Sequence, residues 1–112
     1  MNTSKKTLFL KSDKVGDGEL GSMLIKGFLN AISQQENLPE SIICVNSAIL
    51  LTTSEDEELI QILKELENKE VSIYSCGTCL DYYKKRDDLK VGVPGNAMDT
   101  VNLLLNKDIV TL

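Results

Sequence analysis

Cys76 and Cys79, two thiols three residues apart, are the residues of this chain best suited to chemistry. They stand where Val71, Ile73 and Tyr74, β-branched or aromatic residues that suit a short buried strand, give way at Thr78 to a segment that turns as a helix. A sulfur at a helix N-terminus meets unpaired backbone N–H groups and the positive end of the dipole, and both favour thiolate over thiol. The spacing of three also brings Cys79 onto the helical face of Cys76. The pattern predicts a nucleophile with a neighbouring thiol. Cys76 at the cap is the nucleophile, and Cys79, one turn in and closer to the negative charge of Asp81, is the resolving or protecting partner.

Composition narrows what these thiols do. The chain has no histidine, which removes Ser-His and Cys-His pairs, histidine metal sites and imidazole acid/base chemistry within one chain. Its 17 acidic against 12 basic residues give a net charge of −5, so little is present to neutralise phosphates, and a nucleic-acid partner is not expected. Lys84-Lys85-Arg86 is the one basic cluster. Those cations complement the dipole at the end of the helix after Cys76, with attraction of an anionic donor as the alternative. No apolar run is long enough to cross a bilayer, and Met1 to Leu10 carries only Leu8-Phe9-Leu10 before Lys11, unlike a signal peptide. The expectation is a cytoplasmic protein with no membrane partner, whose three cysteines rest reduced.

The elements that place the thiols follow from periodicity. At 112 residues and 42% hydrophobic content the chain forms one core and is short for two, so residues 1–112 read as a single domain. Thr7–Leu10 reads as a buried first strand, and Leu20, Leu24, Ile25, Phe28, Leu29 and Ile32 as the face of an amphipathic helix with Asp17 as N-cap. Ser41–Val45 reads as a second strand with Cys44 as a small core residue, and Ser47–Leu51 as a further short extended piece. Ser54-Glu55-Asp56-Glu57 has the form of a capping box opening a helix with Leu59, Ile60, Leu63 and Leu66 inside. Val91–Val93 reads as a short strand, Asn96 as the cap of a helix through Met98, Val101, Leu104 and Leu105, and Asp108–Leu112 as a last strand.

This β-α-β-α-β-α-β-α-β order predicts an α/β fold, a three-layer α/β/α sandwich on a mainly parallel sheet of about five strands. Such sheets bind ligands at the carboxyl ends of their strands, where the loop after Leu10, Asn46, Cys76 with Gly77 and Thr78, and Gly95-Asn96 should converge. Leu50, Leu51 and Tyr82 near that edge predict self-association. Gly16-x-Gly18-x-x-Gly21 matches the dinucleotide pattern, but the glycines do not follow the strand at once, and Asp17 and Glu19 would repel a phosphate. The plainer reading is a flexible loop entering a helix, with Gly21 allowing close packing. No cofactor is expected.

The chain resembles the DsrE/DsrF-like sulfurtransferase family, closest to the C-terminal domain of the YedF type of sulfurtransferase-like selenium metabolism protein. The likeness runs from about Thr7 to Leu112. It rests on Glu19-Leu20-Gly21, Phe28-Leu29, the strand ending at Asn46, the specific block Ser75-Cys76-Gly77-Thr78-Cys79-Leu80-Asp81-Tyr82-Tyr83, Val91-Gly92 and Gly95-Asn96. The resemblance implies a three-layer fold, frequent homo-oligomers, and sulfur carried as a persulfide on the cysteine matching Cys76. Donors and acceptors of the kind implied are a cysteine desulfurase and a TusA-like carrier. Ser47-Ala48 departs from the glycine that close relatives often carry after the Asn46 position.

Three other readings stand beside a persulfide carrier. A thiol-disulfide oxidoreductase of thioredoxin type would carry its cysteine pair near the start of the chain, whereas here it lies deep in it. A closed zinc site wants four ligands, more than Cys76, Cys79 and a buried Cys44 supply without a second subunit, so no metal is expected. The last is a non-catalytic oligomeric binding module in which Cys76 and Cys79 only pack.

Overall fold

In a computed structural model, which describes residues 6–112, five strands form one sheet in the order β4-β3-β2-β1-β5, with every neighbouring pair parallel. The strands are β1 (Lys6–Leu10), β2 (Ser41–Cys44), β3 (Ser72–Cys76), β4 (Val93–Gly95) and β5 (Asp108–Thr111). Met1–Lys5, part of the stretch judged unlike a signal peptide, lie outside the described residues. The helices are α1 (Gly18–Ser33), α2 (Ile49–Thr52), α3 (Glu57–Asn68), α4 (Gly77–Tyr82) and α5 (Ala97–Asn106). From β1 to β4 the chain steps one strand at a time in one direction, and from β4 it crosses back to β5 beyond β1. Right-handed crossovers then put α1 to α4 on one face and α5 on the other, giving the three-layer α/β/α sandwich.

The two faces are unequally filled. Leu8, Leu10, Ile42, Cys44 and Ile73 alternate along the strands toward one face and cluster with Ile25 and Leu29 of α1, Leu59, Leu63 and Leu66 of α3, and Leu80 of α4. Cys44 is a core residue here, 1% exposed. The opposite face carries Thr7 and Ser41, joined by a buried hydroxyl contact of 3.1 Å, together with Phe9, Ile43 and Tyr74. No residue of α5 is buried. None of the described helices is long and apolar enough to cross a membrane.

Several local expectations are corrected. Ser47–Leu51 is not extended: Asn46–Ala48 forms a 3-10 turn that runs into α2, burying Ala48, Ile49, Leu51 and Thr52. A short apolar run fits strand or buried helix equally, and here packing chose the helix. Leu51 therefore belongs to the core and Leu50 packs against it, leaving Tyr82 as the exposed member of the expected trio. The cap of α3 is Asp56, whose carboxylate accepts from the N–H groups of Glu58 and Leu59, while Ser54 Oγ accepts from Asp56 N–H one step earlier. Asp17 stands at the N-cap of α1 but makes no side-chain cap bond. Strand β4 is Val93–Gly95 and so includes Pro94, which an edge strand tolerates because the missing N–H breaks no inner ladder. Asn96 caps α5 as expected, accepting from Asp99 N–H at 2.9 Å.

The glycine motif has a packing role. The loop before α1 folds back, so that Val15 N–H donates to Gly21 O at 3.0 Å. A Cβ on Gly21 would lie 2.8 Å from Val15 O, so only glycine admits that contact.

Candidate functional site

Cys76 closes β3, paired in register with Gly95 of β4, and is the N-cap of α4. The sequence places it there because strand-forming Ser72–Ser75 ends against a glycine, and Gly77 rather than Thr78 begins the helix. Ser75 anchors the junction from the core side: its hydroxyl meets Thr52 Oγ1 at 2.6 Å, with both residues buried. Cys76 itself is half-buried and makes no disulfide, and its sulfur makes no capping bond to the first turn, contrary to the geometry expected of it. It opens instead on a cavity of about 420 Å³ at the carboxyl edge of the sheet, walled by Val45, Thr78, Arg86, Asn96, Ala97 and Val101 among others.

Cys79 faces elsewhere. It packs against the core and does not line that cavity. Its Sγ accepts the Asn46 N–H at 3.1 Å, which ties α4 to the loop after β2. Asn46 holds a left-handed backbone, φ +54, a conformation that asparagine tolerates better than most residues. Tyr83 OH approaches its Oδ1 at 3.4 Å. Burial, and then the Cys76 sulfur in hydrogen-bonding contact, push the Cys79 thiol up, opposed by the Asn46 N–H. The Asp81 carboxylate, whose charge the sequence sets near Cys79, is engaged by Arg86.

Arg86 is the residue the sequence reading undervalued. Its Nε donates to Asp81 Oδ1 at 2.7 Å, and its Nη2 donates to Asp81 Oδ2 at 3.1 Å and to Gly77 O at 3.1 Å. This two-pronged contact holds the Asp81 carboxyl below the usual carboxylate range. A Cβ on Gly77 would stand 2.9 Å from Arg86 Nη2 and 3.3 Å from Gly95 O. The glycine between the two cysteines' neighbours thus makes room for the guanidinium beside Cys76. Arg86 does not cap the end of α4; it reaches back to the start of that helix.

No protein-family model matches the chain, and no curated protein matches it significantly. The fold is a known one. The ychN protein of E. coli superposes with a TM-score of 0.65 at 16% sequence identity, over 96% of this chain and 98% of that one. BT1422 of Bacteroides thetaiotaomicron, a conserved protein of unknown function, does so with a TM-score of 0.66 at 13% identity, over 96% of this chain and 95% of that one. These likenesses support the DsrE-like fold; at such identities they carry the architecture and not the activity.

The convergence expected at the sheet edge is divided by the structure into two groups. Cys76, Gly77, Thr78, Gly95 and Asn96 line one cavity. Asn46 and Cys79 form a separate pair behind it. Val45, Thr100 and Arg86 join the cavity without having been singled out for it. Thr100 and Val101 lie one turn into α5, on the side of the helix that begins at its Asn96 cap, and that helical offset is the signal that would have found them. Among the described residues no three histidine, cysteine, aspartate or glutamate side chains gather as a metal site.

Proposed function

We propose that this protein carries sulfur, or selenium, as a persulfide or its selenium analogue on Cys76, with Cys79 as the resolving or protecting thiol. The observation that carries the reading is the position of Cys76: a half-buried cysteine outside any disulfide, opening on a cavity at the carboxyl edge of a parallel sheet, with a second thiol in contact behind it. In the loading step the Cys76 thiolate attacks the terminal sulfur of a donor persulfide. A new S–S bond forms on Cys76, the donor S–S bond breaks, and the donor cysteine leaves as thiolate. Discharge gives the terminal sulfur to an acceptor thiolate, or Cys79 attacks the inner sulfur, forming a Cys76–Cys79 disulfide and releasing hydrosulfide.

A cysteine desulfurase as donor and a TusA-like carrier as acceptor suit this chemistry, and the Ser75–Tyr83 block supports kinship with YedF-type proteins. A cytoplasmic setting, which keeps thiols reduced between turnovers, suits it as well. The experiment is mass spectrometry after incubation with a cysteine desulfurase and cysteine. One added sulfur atom on Cys76, abolished by Cys76→Ser and longer-lived in Cys79→Ser, is the expected result. Loading that survives Cys76→Ser reverses the roles of the thiols. No loading of either cysteine leaves a binding module.

A further inference from the structure

Of the five N–H donors on the Arg86 guanidinium, three are engaged by Asp81 and Gly77. The two on Nη1 have no partner among the described residues. The side chain is pinned on one edge, lines the same cavity as the Cys76 thiol, and leaves its other edge unengaged. Asp81 also borders the cavity, but both of its oxygens are held by Arg86. Two more carboxylates lie nearby: Asp99, which accepts from Asn96 Nδ2 at 3.0 Å, and Asp87, next to Arg86 in sequence, which acts on the guanidinium through its charge. Other walls are uncharged: Val45, Ala97 and Val101, with hydroxyls from Thr78 and Thr100. The cavity opens beside the N-terminus of the ten-residue α5, whose dipole adds a modest preference for negative charge. A volume of about 420 Å³ suits a small molecule rather than a folded partner.

We propose that Arg86 makes this cavity a binding site for a small sulfane-sulfur donor with an oxyanion head, the head on the guanidinium and the sulfane sulfur toward Cys76. The inference rests on the persulfide reading of Cys76 and names the class of donor it takes. With thiosulfate, the Cys76 thiolate attacks the outer sulfur, the S–S bond to the sulfonate breaks, and its electron pair departs with sulfite. Cys76 is left as persulfide, and no further oxidant or reductant is needed. With a carboxylate-bearing hydropersulfide such as that of cysteine, the terminal sulfur passes to Cys76 and the small thiolate leaves.

Two measurements on the full chain test the site. The first uses iodoacetate and iodoacetamide, which alkylate by the same chemistry and differ in one charge. The ratio of their rates at Cys76, read by peptide mass spectrometry, should fall about five- to ten-fold in Arg86→Gln. The iodoacetamide rate measures any change in the thiol or in α4 that the substitution brings, which the ratio cancels, and Arg86→Lys should recover part of the ratio. The second follows sulfur loading of Cys76 by thiosulfate, with sulfite release, and separately by cysteine hydropersulfide. Loading by thiosulfate assigns the sulfonate source, and loading by the hydropersulfide alone assigns the carboxylate source. Either should slow by a similar factor in Arg86→Gln. An unchanged alkylation ratio overturns the proposal, and so does an equal loss with both reagents, which would make Arg86 a brace for α4 alone. If neither small donor loads Cys76 while a cysteine desulfurase does, the donor class is wrong and the carrier reading stands. If none of the three loads it, the carrier reading falls as well.

Discussion

Truncating Leu80 to alanine tests whether the site depends on a single buried side chain. Leu80 is 0% exposed and is the one buried residue of α4, a six-residue helix carrying both Cys79 and the first turn after Cys76. A helix this short does not hold itself in water. Its other ties are the Arg86 contacts to Gly77 and Asp81, the Asn46–Cys79 bond, and the Lys85 N–H to Leu80 O bond of 2.8 Å. Leu→Ala in a core costs about 2–5 kcal/mol, and a fully buried leucine on a short helix that can partly settle into the space left behind belongs in the lower half of that range, about 3 kcal/mol. Against a domain stability of about 5–15 kcal/mol this is a large fraction. At about 4 °C per kcal/mol it lowers the melting temperature by about 12 °C. Urea denaturation should show a lower midpoint with an unchanged slope. Under native conditions, alkylation of Cys79, which packs against the core, should accelerate more than alkylation of Cys76, which already opens on the cavity. A loss below about 1 kcal/mol, or equal acceleration at the two thiols, refutes the claim that Leu80 seats the helix.

Cys44 gives a pH dependence, since burial pushes its thiol from 9.0 up to about 12. With the folded value above the unfolded one, the neutral thiol's contribution is fully present below pH 9.0 and is lost as pH rises toward 12. The full span corresponds to a figure on the order of 4 kcal/mol, so urea midpoints should fall across that window and Cys44→Ala should flatten the fall; identical alkaline profiles would refute the cause. Self-association should run through exposed apolar faces such as Met98, Val101 and Leu105 on α5, of which Met98 and Leu105 are 83% and 79% exposed. Light scattering should show an oligomer that Leu105→Glu weakens, and a monomer at high concentration would count against it.

Much of this protein was legible in its sequence because the deciding signals are local. Alternation and apolar runs marked Thr7–Leu10, Ser41–Val45 and the run of Val71, Ile73 and Tyr74 as strands, within a residue or two of the observed β1, β2 and β3, and period-3.6 spacing marked α1 and α3. Their alternation along the chain is enough to require a parallel sheet, and so to bring the ends of β2, β3 and β4 to one edge. The thiol pair at a strand-to-helix junction was likewise a matter of neighbours in sequence. What only tertiary structure decided were choices between locally equivalent outcomes and contacts between distant residues. Ser47–Leu51 has apolar residues for a strand or a buried helix, and became helical because Ile49, Leu51 and Thr52 had a core to fill and Ser75 to meet. The two cysteines share a helical face by spacing, yet one opens on a cavity and the other on Asn46. Which way each points depends on how the β2 loop and α5 pack against α4. Arg86 looked like a cation at a helix end because sequence distance hides its reach back to Gly77. The glycine that admits it, the carboxylate that pins it and the thiol beside it become a site only once α4 and the turn after it are folded against the sheet edge.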